Sequence, residues 1–232
     1  MRIAGLLAWS FVRQNRWPTL ALLAWVLVSA GLARQEVSQS AEEALYLYKL
    51  ALVYVIGFTA FLAASVIASE RNSRRILGVL SKGITRKQYL MGIVLACGGI
   101  PVICCLAMVV TGAWLFGGAA VGPLLALMAA VLAASLMTGT ASLLFSTFLN
   151  PILAVAAASG LLAAAGMARV RFPLQELLLP VSPLASSILE FSLSGGWNAS
   201  WMAVLGAIAE AALLWLAACW IFQRRDIALA VD

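Results

Sequence analysis

The sequence predicts an all-α polytopic membrane protein, and both its composition and its apolar runs support that fold class. Hydrophobic residues make up 64% of the 232 positions and charged residues only 10%, whereas about a quarter of a soluble domain is charged. Several apolar runs are about 20 residues long, which is the length that an α-helix needs to cross a bilayer. The strands of an outer-membrane barrel would be shorter and less apolar. We therefore expect one transmembrane domain over residues 1–232, without a separate soluble domain.

The first 16 residues predict an amphipathic helix that lies at the membrane interface. On a helical wheel, three arginines gather on one side and apolar side chains on the other. The basic side holds Arg2, Arg13 and Arg16 with Trp9 between them, and the apolar side holds Ile3, Leu7 and Phe11. A tryptophan among basic residues is typical of the headgroup layer. A secretory signal peptide is the alternative, since basic residues precede an apolar run.

Six apolar segments are predicted to span the membrane. Their approximate bounds are 17–33, 45–69, 89–116, 124–149, 152–167 and 201–222. Pro101 follows two glycines in the third segment and predicts a kink there. Between the fifth and sixth segments, residues 168–200 contain apolar stretches that are too short to cross a bilayer. These stretches predict re-entrant or interfacial half-helices on the outer side.

The distribution of basic residues predicts that both termini are cytoplasmic. With that orientation, the inner segments hold eleven of the fifteen Lys and Arg residues. The outer segments hold the other four, Arg34, Lys49, Arg169 and Arg171. Lysine and arginine concentrate on the cytoplasmic side of membrane proteins. The same tendency explains the net charge of +6, so we expect no nucleic-acid partner.

Residues 70–88 form the longest charged segment between two apolar runs, and they predict a cytoplasmic docking helix. Wound as a helix, the segment has a basic side and an apolar side. The basic side holds Arg71, Arg74, Arg75 and Lys82, and the apolar side holds Ile76, Leu77, Val79 and Leu80. Such a segment lies on a membrane surface or docks into a groove of another protein. A basic loop held at lipid headgroups is the alternative.

Polar residues within the spans are candidates for a substrate pathway. The fourth segment is rich in hydroxyl side chains, of which Ser135, Thr138 and Ser142 are the candidate pathway residues. Packing between helices is the alternative explanation for them. Glu210 lies near the middle of the sixth segment, where an ionised carboxylate is costly. It serves either a substrate or proton site, or a hydrogen bond between two helices.

The sequence contains few of the residue types and motifs that catalysis or metal binding requires. It contains no histidine, which excludes Ser-His-Asp catalysis and histidine metal sites. It has no G-x-x-x-x-G-K-[ST] motif for binding nucleotide phosphates. The four cysteines, Cys97, Cys104, Cys105 and Cys219, lie in apolar runs, where we expect small packing residues and no disulfides. A soft-metal role is the alternative for the first three, which share one side of a helix. We therefore expect no enzymatic activity, no catalytic or metal site and no cofactor.

From Glu70 to Gly92, the sequence resembles the ABC-2 type permeases, the membrane subunits of one class of ABC exporters. Glu70 matches the acidic residue of the family's first cytoplasmic loop, and Leu80-Ser81 matches its leucine-serine pair. Ile84-Thr85-Arg86 resembles the closing motif, and Tyr89-Leu90-Met91-Gly92 resembles the return into the membrane. The family's Gly-Thr and proline are replaced here by Arg74-Arg75 and Gly83.

This resemblance implies a permease of the bacterial cytoplasmic (inner) membrane that moves an unidentified substrate. Transport would be coupled to a cytoplasmic ABC ATPase dimer, which would bind ATP and Mg²⁺. A second permease protomer, identical or different, and membrane lipid are the other implied partners. The implied ATPase-coupling residues are Glu70, Arg71, Arg74, Arg75, Ile76, Leu77, Val79, Leu80 and Arg86. A haem-exporter-type permease of cytochrome c maturation and a membrane scaffold without transport are the alternatives.

Overall fold

The computed structural model describes residues 2–37, 40–72, 86–167, 179–193 and 201–224. Within these ranges all regular secondary structure is helical, which confirms the predicted fold class. The α-helices of these ranges, in chain order, are α1 (Arg2–Gln14), α2 (Arg16–Val37), α3 (Ala41–Asn72), α4 (Arg86–Phe116), α5 (Val121–Ser146), α6 (Pro151–Met167), α7 (Val181–Leu189) and α8 (Trp201–Arg224). A 3-10 turn, Gly118–Ala120, joins α4 to α5.

Five helices of the described ranges, α2, α3, α4, α5 and α8, are long and apolar enough to cross a membrane. The apolar helix α6 is shorter, at 17 residues. With a rise of about 1.5 Å per residue it is about 26 Å long, somewhat less than the roughly 30 Å of a hydrocarbon core. The protein is therefore a multi-pass helical membrane protein, and its described residues contain five full-length candidate spans and the shorter apolar helix α6.

Local sequence explains where several helices begin and end. Ser40 caps α3, because its Oγ accepts the backbone N–H of Glu43 at 3.3 Å. Asn150 caps α6 in the same way, accepting the N–H of Leu153 at 2.9 Å, and Pro151 occupies the first helical position, which favours proline. Gly117 ends α4 with a φ of 86°, a backbone conformation that suits glycine.

The connection between α4 and α5 is shorter than the gap between the third and fourth predicted segments, which end at 116 and begin at 124. Helix α5 already begins at Val121, so Pro123 lies in its first turn. The first N–H groups of a helix have no partner within that helix, and a proline there costs little. In α4 the helix likewise continues through the buried Pro101.

Helix α5 lies at the centre of the bundle and contacts α3, α4, α6, α7 and α8. Small residues along α5 allow its neighbours to approach closely. At Gly139, for example, a Cβ would lie 3.5 Å from Thr59 Cγ2 of α3. Gly112 of α4 is more crowded than Gly139, because a Cβ there would lie 2.7 Å from Leu124 Cδ1 and 2.8 Å from the Tyr48 hydroxyl.

A cluster of buried residues identifies one end of the bundle, which we call the α1 end. The cluster joins Phe11 of α1, Val66 of α3, Tyr89 of α4, Leu143 of α5 and Cys219 of α8. Tyr89 is near the start of α4, and the residues from α3, α5 and α8 are near the ends of their helices. Helix α1 and these four helix termini therefore share one end of the bundle.

The other end of the bundle is closed by α7, and we call it the α7 end. Lys49, near the start of α3, donates its ammonium to the carbonyl of Leu189, the last residue of α7, at 2.7 Å. Gly166, near the end of α6, lies beside Val181 at the start of α7, since a Cβ on Gly166 would be 3.2 Å from Val181 Cγ1. Helix α6 starts just after α5 ends, at the α1 end, and so runs the length of the bundle to α7.

The short helix α7 lies within residues 168–200, where half-helices are predicted, and its re-entrant or interfacial placement stays a prediction. It has nine residues, too few to cross a bilayer, and it contacts α5, α6 and α8. Its residues Leu184 and Ile188 are buried in the main apolar core. The remainder of the predicted re-entrant region, 168–178 and 194–200, lies outside the described residues.

Candidate functional site

The predicted coupling segment lies largely outside the described residues, and the structure places only its two flanks. Arg74, Arg75, Ile76, Leu77, Val79 and Leu80 fall in the range 73–85, which is not described. Glu70 and Arg71 belong to the last turn of α3, and Arg86 is the first residue of α4. Both flanks lie at the α1 end. The coupling roles of these residues stay predictions.

Helix α1 lies beside these flanks and packs along α4. Its residue Phe11 is 8% exposed and joins the buried cluster, whereas Leu6 and Trp9 are about 70% exposed. Arg13 is also exposed, and the Arg16 guanidinium lies 5.5 Å from the centre of the Trp17 ring. Exposed tryptophan and arginine together suit the headgroup layer of a membrane. The α1 helix is confirmed, and its position at the interface remains our interpretation.

The candidate pathway serines of α5 are in the protein interior. Ser135 and Ser142 are both 0% exposed. Within the described part of the chain, neither Oγ has a hydrogen-bond partner. Ser135 borders a cavity of about 10 Å³ together with Cys97 and Thr140, close to the minimum that one water molecule needs. An unsatisfied buried hydroxyl costs about 1–3 kcal/mol, so a single bridging water would suit Ser135.

Thr138 has a different environment on the same helix. Its Oγ1 donates to the backbone carbonyl of Ala134, one turn earlier, at 2.8 Å. Its side chain lines a much larger cavity, described below, to which α8 contributes no residue. Neither Ser135 nor Ser142 lines that cavity. The hydroxyls predicted to share a pathway therefore divide between separate parts of the interior.

Glu210 lies at the border between the buried and exposed sides of α8. On that helix, Ala207 and Ala211 are buried, and Leu213 is 66% exposed. Glu210 itself is half-buried. Among the described residues, no hydrogen bond or ion pair reaches its carboxylate. The interhelical hydrogen bond considered from sequence is therefore not made with a described residue, and the role of Glu210 stays open to test.

The structure brings together an apolar cavity that the sequence did not indicate. It has a volume of about 310 Å³ and lies between α3, α5, α6 and α7. Its lining includes Val53, Ile56, Thr138, Leu162, Ala185 and Ile188. The one hydroxyl in its wall, that of Thr138, is already bonded to its own helix. The cavity therefore presents an almost wholly apolar interior.

A lysine lies beside this cavity at the α7 end. Lys49 precedes Val53 by one helical turn on α3, and its ammonium binds the carbonyl of Leu189, whose side chain is part of the cavity wall. A cation at the last carbonyl of a helix offsets the negative end of the helix dipole. Lys49 therefore fixes α7 to α3 and also places a positive charge near an apolar cavity.

The cysteines pack as small apolar residues, as expected from the sequence. All four are free and buried. Cys104 and Cys105 belong to the main core, and Cys97 and Cys219 belong to the cluster at the α1 end. In the ranges that the structure describes, no group of three potential metal-ligating side chains comes together.

Comparison with models of known protein families found no family that matches the chain, and comparison with curated proteins found no significant match. The resemblance of residues 70–92 to the ABC-2 permeases therefore stays a prediction.

Proposed function

We propose that this chain is the permease subunit of an ABC exporter and that a separate cytoplasmic ATPase powers it. The observation that carries the proposal is the convergence of α1, the end of α3 and the start of α4 at one end of the bundle. The segment between α3 and α4 contains the residues that resemble the family's coupling helix. Helix α1, which lies beside the described flanks of that segment, presents the exposed tryptophan and arginine expected at a membrane surface.

The proposed orientation follows from the positions of the helix ends. The end of α8 lies at the α1 end, so the last described helix ends on the same side of the bundle as α1. The segments at that end carry most of the basic residues, which favours the cytoplasmic side. In the proposal, α6 is the fifth of six spans, both termini are cytoplasmic, and the membrane is the bacterial inner membrane.

Packing between α3 and α4 supports transmission of movement from the coupling segment into the bundle. The Tyr48 hydroxyl of α3 donates to the Met108 carbonyl of α4 at 2.6 Å, and Tyr48 also meets the ring of Phe116 edge to face at 5.9 Å. Both helices contact α5. Closure of an ATPase dimer would thus move α3 and α4 together against α5, while ATP and Mg²⁺ stay on the partner. A second permease protomer would complete the pathway.

The proposal is tested by reversing charge in the coupling segment. The chain is coexpressed with candidate ABC ATPases from the same genome, and copurification and transport-linked ATP hydrolysis are measured after reconstitution. In the proposal, the arginines pair with acidic residues of the ATPase. We therefore expect Arg74→Glu with Arg75→Glu to weaken ATPase binding by about tenfold or more, because the new glutamates would repel those acidic residues. The matched control is Arg74→Lys with Arg75→Lys, which keeps both charges.

Three results would contradict the proposal. Normal insertion and full coupling of the charge-reversed protein would show that the arginines do not dock the ATPase. ATP hydrolysis by the purified chain alone would show that the ATPase activity belongs to this chain and not to a partner. Copurification of this chain without any ATPase would favour a scaffold.

A further inference from the structure

The cavity beside α7 has the size and lining of a binding site for an apolar group. Its volume of about 310 Å³ is at the lower end of the range of about 300–1,000 Å³ that is typical of small-molecule sites. Its walls come from α3 and α5, which are candidate spans, from the shorter apolar helix α6 and from α7. Two of its lining residues are partly open to the surroundings, since Val53 is 46% exposed and Ala185 is also exposed. A chain from the surrounding bilayer can therefore enter from the side.

The ammonium of Lys49 supplies a charged group at the border of this cavity. Lysine has three N–H donors, and one of them is used by the Leu189 carbonyl at 2.7 Å. No described carboxylate forms an ion pair with Lys49, although Glu190 directly follows the end of α7. Two donors and the positive charge thus remain for an anionic group. Phosphate is such a group and accepts strong, charge-assisted hydrogen bonds.

We propose that the cavity binds one acyl chain of an anionic phospholipid, with the headgroup phosphate at Lys49. The apolar interior accommodates methylene groups, which need no hydrogen-bond partner and gain from close packing. Lys49 and Val53 are one turn apart on the same side of α3, so a phosphate on the lysine places its acyl chain at the cavity entrance. The two features together fit an amphiphile with one negative end.

The bound lipid would brace α7 against the bundle. Among the walls of the cavity, α7 contributes Val181, Leu184, Ala185, Ile188 and Leu189, so an acyl chain would fill the space between α7 and the longer helices. All the residues that line the cavity belong to this one chain. The lipid proposal therefore does not depend on whether the chain binds an ATPase.

The experiment uses the full-length chain in vesicles that contain a photoactivatable lipid with a diazirine in its acyl chain. Phosphatidylglycerol and phosphatidylcholine forms are compared, and adducts are mapped by peptide mass spectrometry. We expect adducts on α3 and α7 with phosphatidylglycerol preferred. Ala185→Trp and Val53→Trp, which fill the cavity, should each reduce these adducts about tenfold. Lys49→Gln should reduce the preference for phosphatidylglycerol over phosphatidylcholine about tenfold.

The control is Val110→Trp, at a residue of α4 that is 69% exposed and does not line the cavity. This variant should keep wild-type adducts and wild-type preference. Gel filtration and circular dichroism establish that each variant is folded, and the two cavity-filling variants act as checks on each other. Adducts that are confined to exposed residues such as Val110, or that persist in both cavity-filling variants, would show annular lipid only and overturn the proposal. Equal labelling by the phosphatidylglycerol and phosphatidylcholine forms would overturn the role of Lys49. Labelling by an uncharged diazirine fatty alcohol that equals labelling by the phosphatidylglycerol form would do the same.

Discussion

The crowding at Gly112 gives a prediction of stability that can be worked out from distances. Replacing Gly112 with alanine puts a Cβ 2.7 Å from Leu124 Cδ1 and 2.8 Å from the Tyr48 hydroxyl, both closer than normal van der Waals contact. These atoms are at the ends of side chains, but Leu124 is 0% exposed and Tyr48 is 1% exposed. Neither side chain therefore has free space into which it can move.

The expected loss of stability combines two effects. Overpacking of a buried site costs about 1–3 kcal/mol. Displacement of Tyr48 would also weaken its 2.6 Å hydrogen bond to the Met108 carbonyl, which contributes about 0.5–1.5 kcal/mol. We expect Gly112→Ala to lower the free energy of unfolding by about 2–4 kcal/mol.

Unfolding in mixed detergent, followed by circular dichroism and by thiol labelling of the buried Cys104 and Cys105, measures this loss. The matched control is Gly99→Ala on the same helix, where a Cβ would meet nothing within 4 Å; it should be neutral or slightly stabilising, because alanine favours helix. Tyr48→Phe should cost less in the Gly112→Ala background than in the wild type, since it removes one of the clashing atoms. Equal stability of the Gly112→Ala and Gly99→Ala variants would refute the reasoning.

Further variants test other contacts. Ser142→Ala should leave the free energy of unfolding unchanged or raise it by up to about 1 kcal/mol, since its buried Oγ has no partner in the described part of the chain; a loss above about 1 kcal/mol would reveal a bond to another group. Trp114→Leu should cost about 0.5–1 kcal/mol, because the Arg34 guanidinium lies 3.8 Å from the centre of its ring, and Arg34→Leu in the Trp114→Leu background should cost little more. Lys49→Met should increase proteolysis near α7, since it removes the cation bound to the Leu189 carbonyl; unchanged cleavage would mean that apolar packing alone holds α7.

Apolar periodicity and turn residues predict the order of the apolar helices, but of the six predicted spans five are long enough to cross a membrane and the fifth, α6, is shorter. Their bounds were less certain, because a helix can extend past the apolar run that identifies it. The second segment was expected to begin at 45, yet α3 begins at Ala41, where Ser40 and Glu43 form a cap. The cap depends on side chains outside the apolar run, so hydropathy did not reveal it.

The candidate site was less accessible from sequence, because its parts are far apart along the chain. Lys49 and Leu189 are 140 residues apart, and nothing local in either segment indicates that they meet. Thr138, Ser135 and Ser142 looked alike as hydroxyls on one helix, whereas the packing of neighbouring helices gives them different surroundings. Periodicity assigns residues to sides of a helix, but only tertiary packing determines which helix covers each side.

The central claim is that the segment between α3 and α4 docks on a separate ATPase, and crosslinking from within this segment tests it most directly. A photoactivatable amino acid is placed at Leu77 in the full chain. This variant is coexpressed with a candidate ABC ATPase from the same genome, and the intact cells are illuminated. The proposal predicts a covalent adduct between the two proteins that is lost in the variant with Arg74→Glu and Arg75→Glu. An adduct with lipid alone, in cells that contain the ATPase, would contradict it and identify the segment as a headgroup-bound loop.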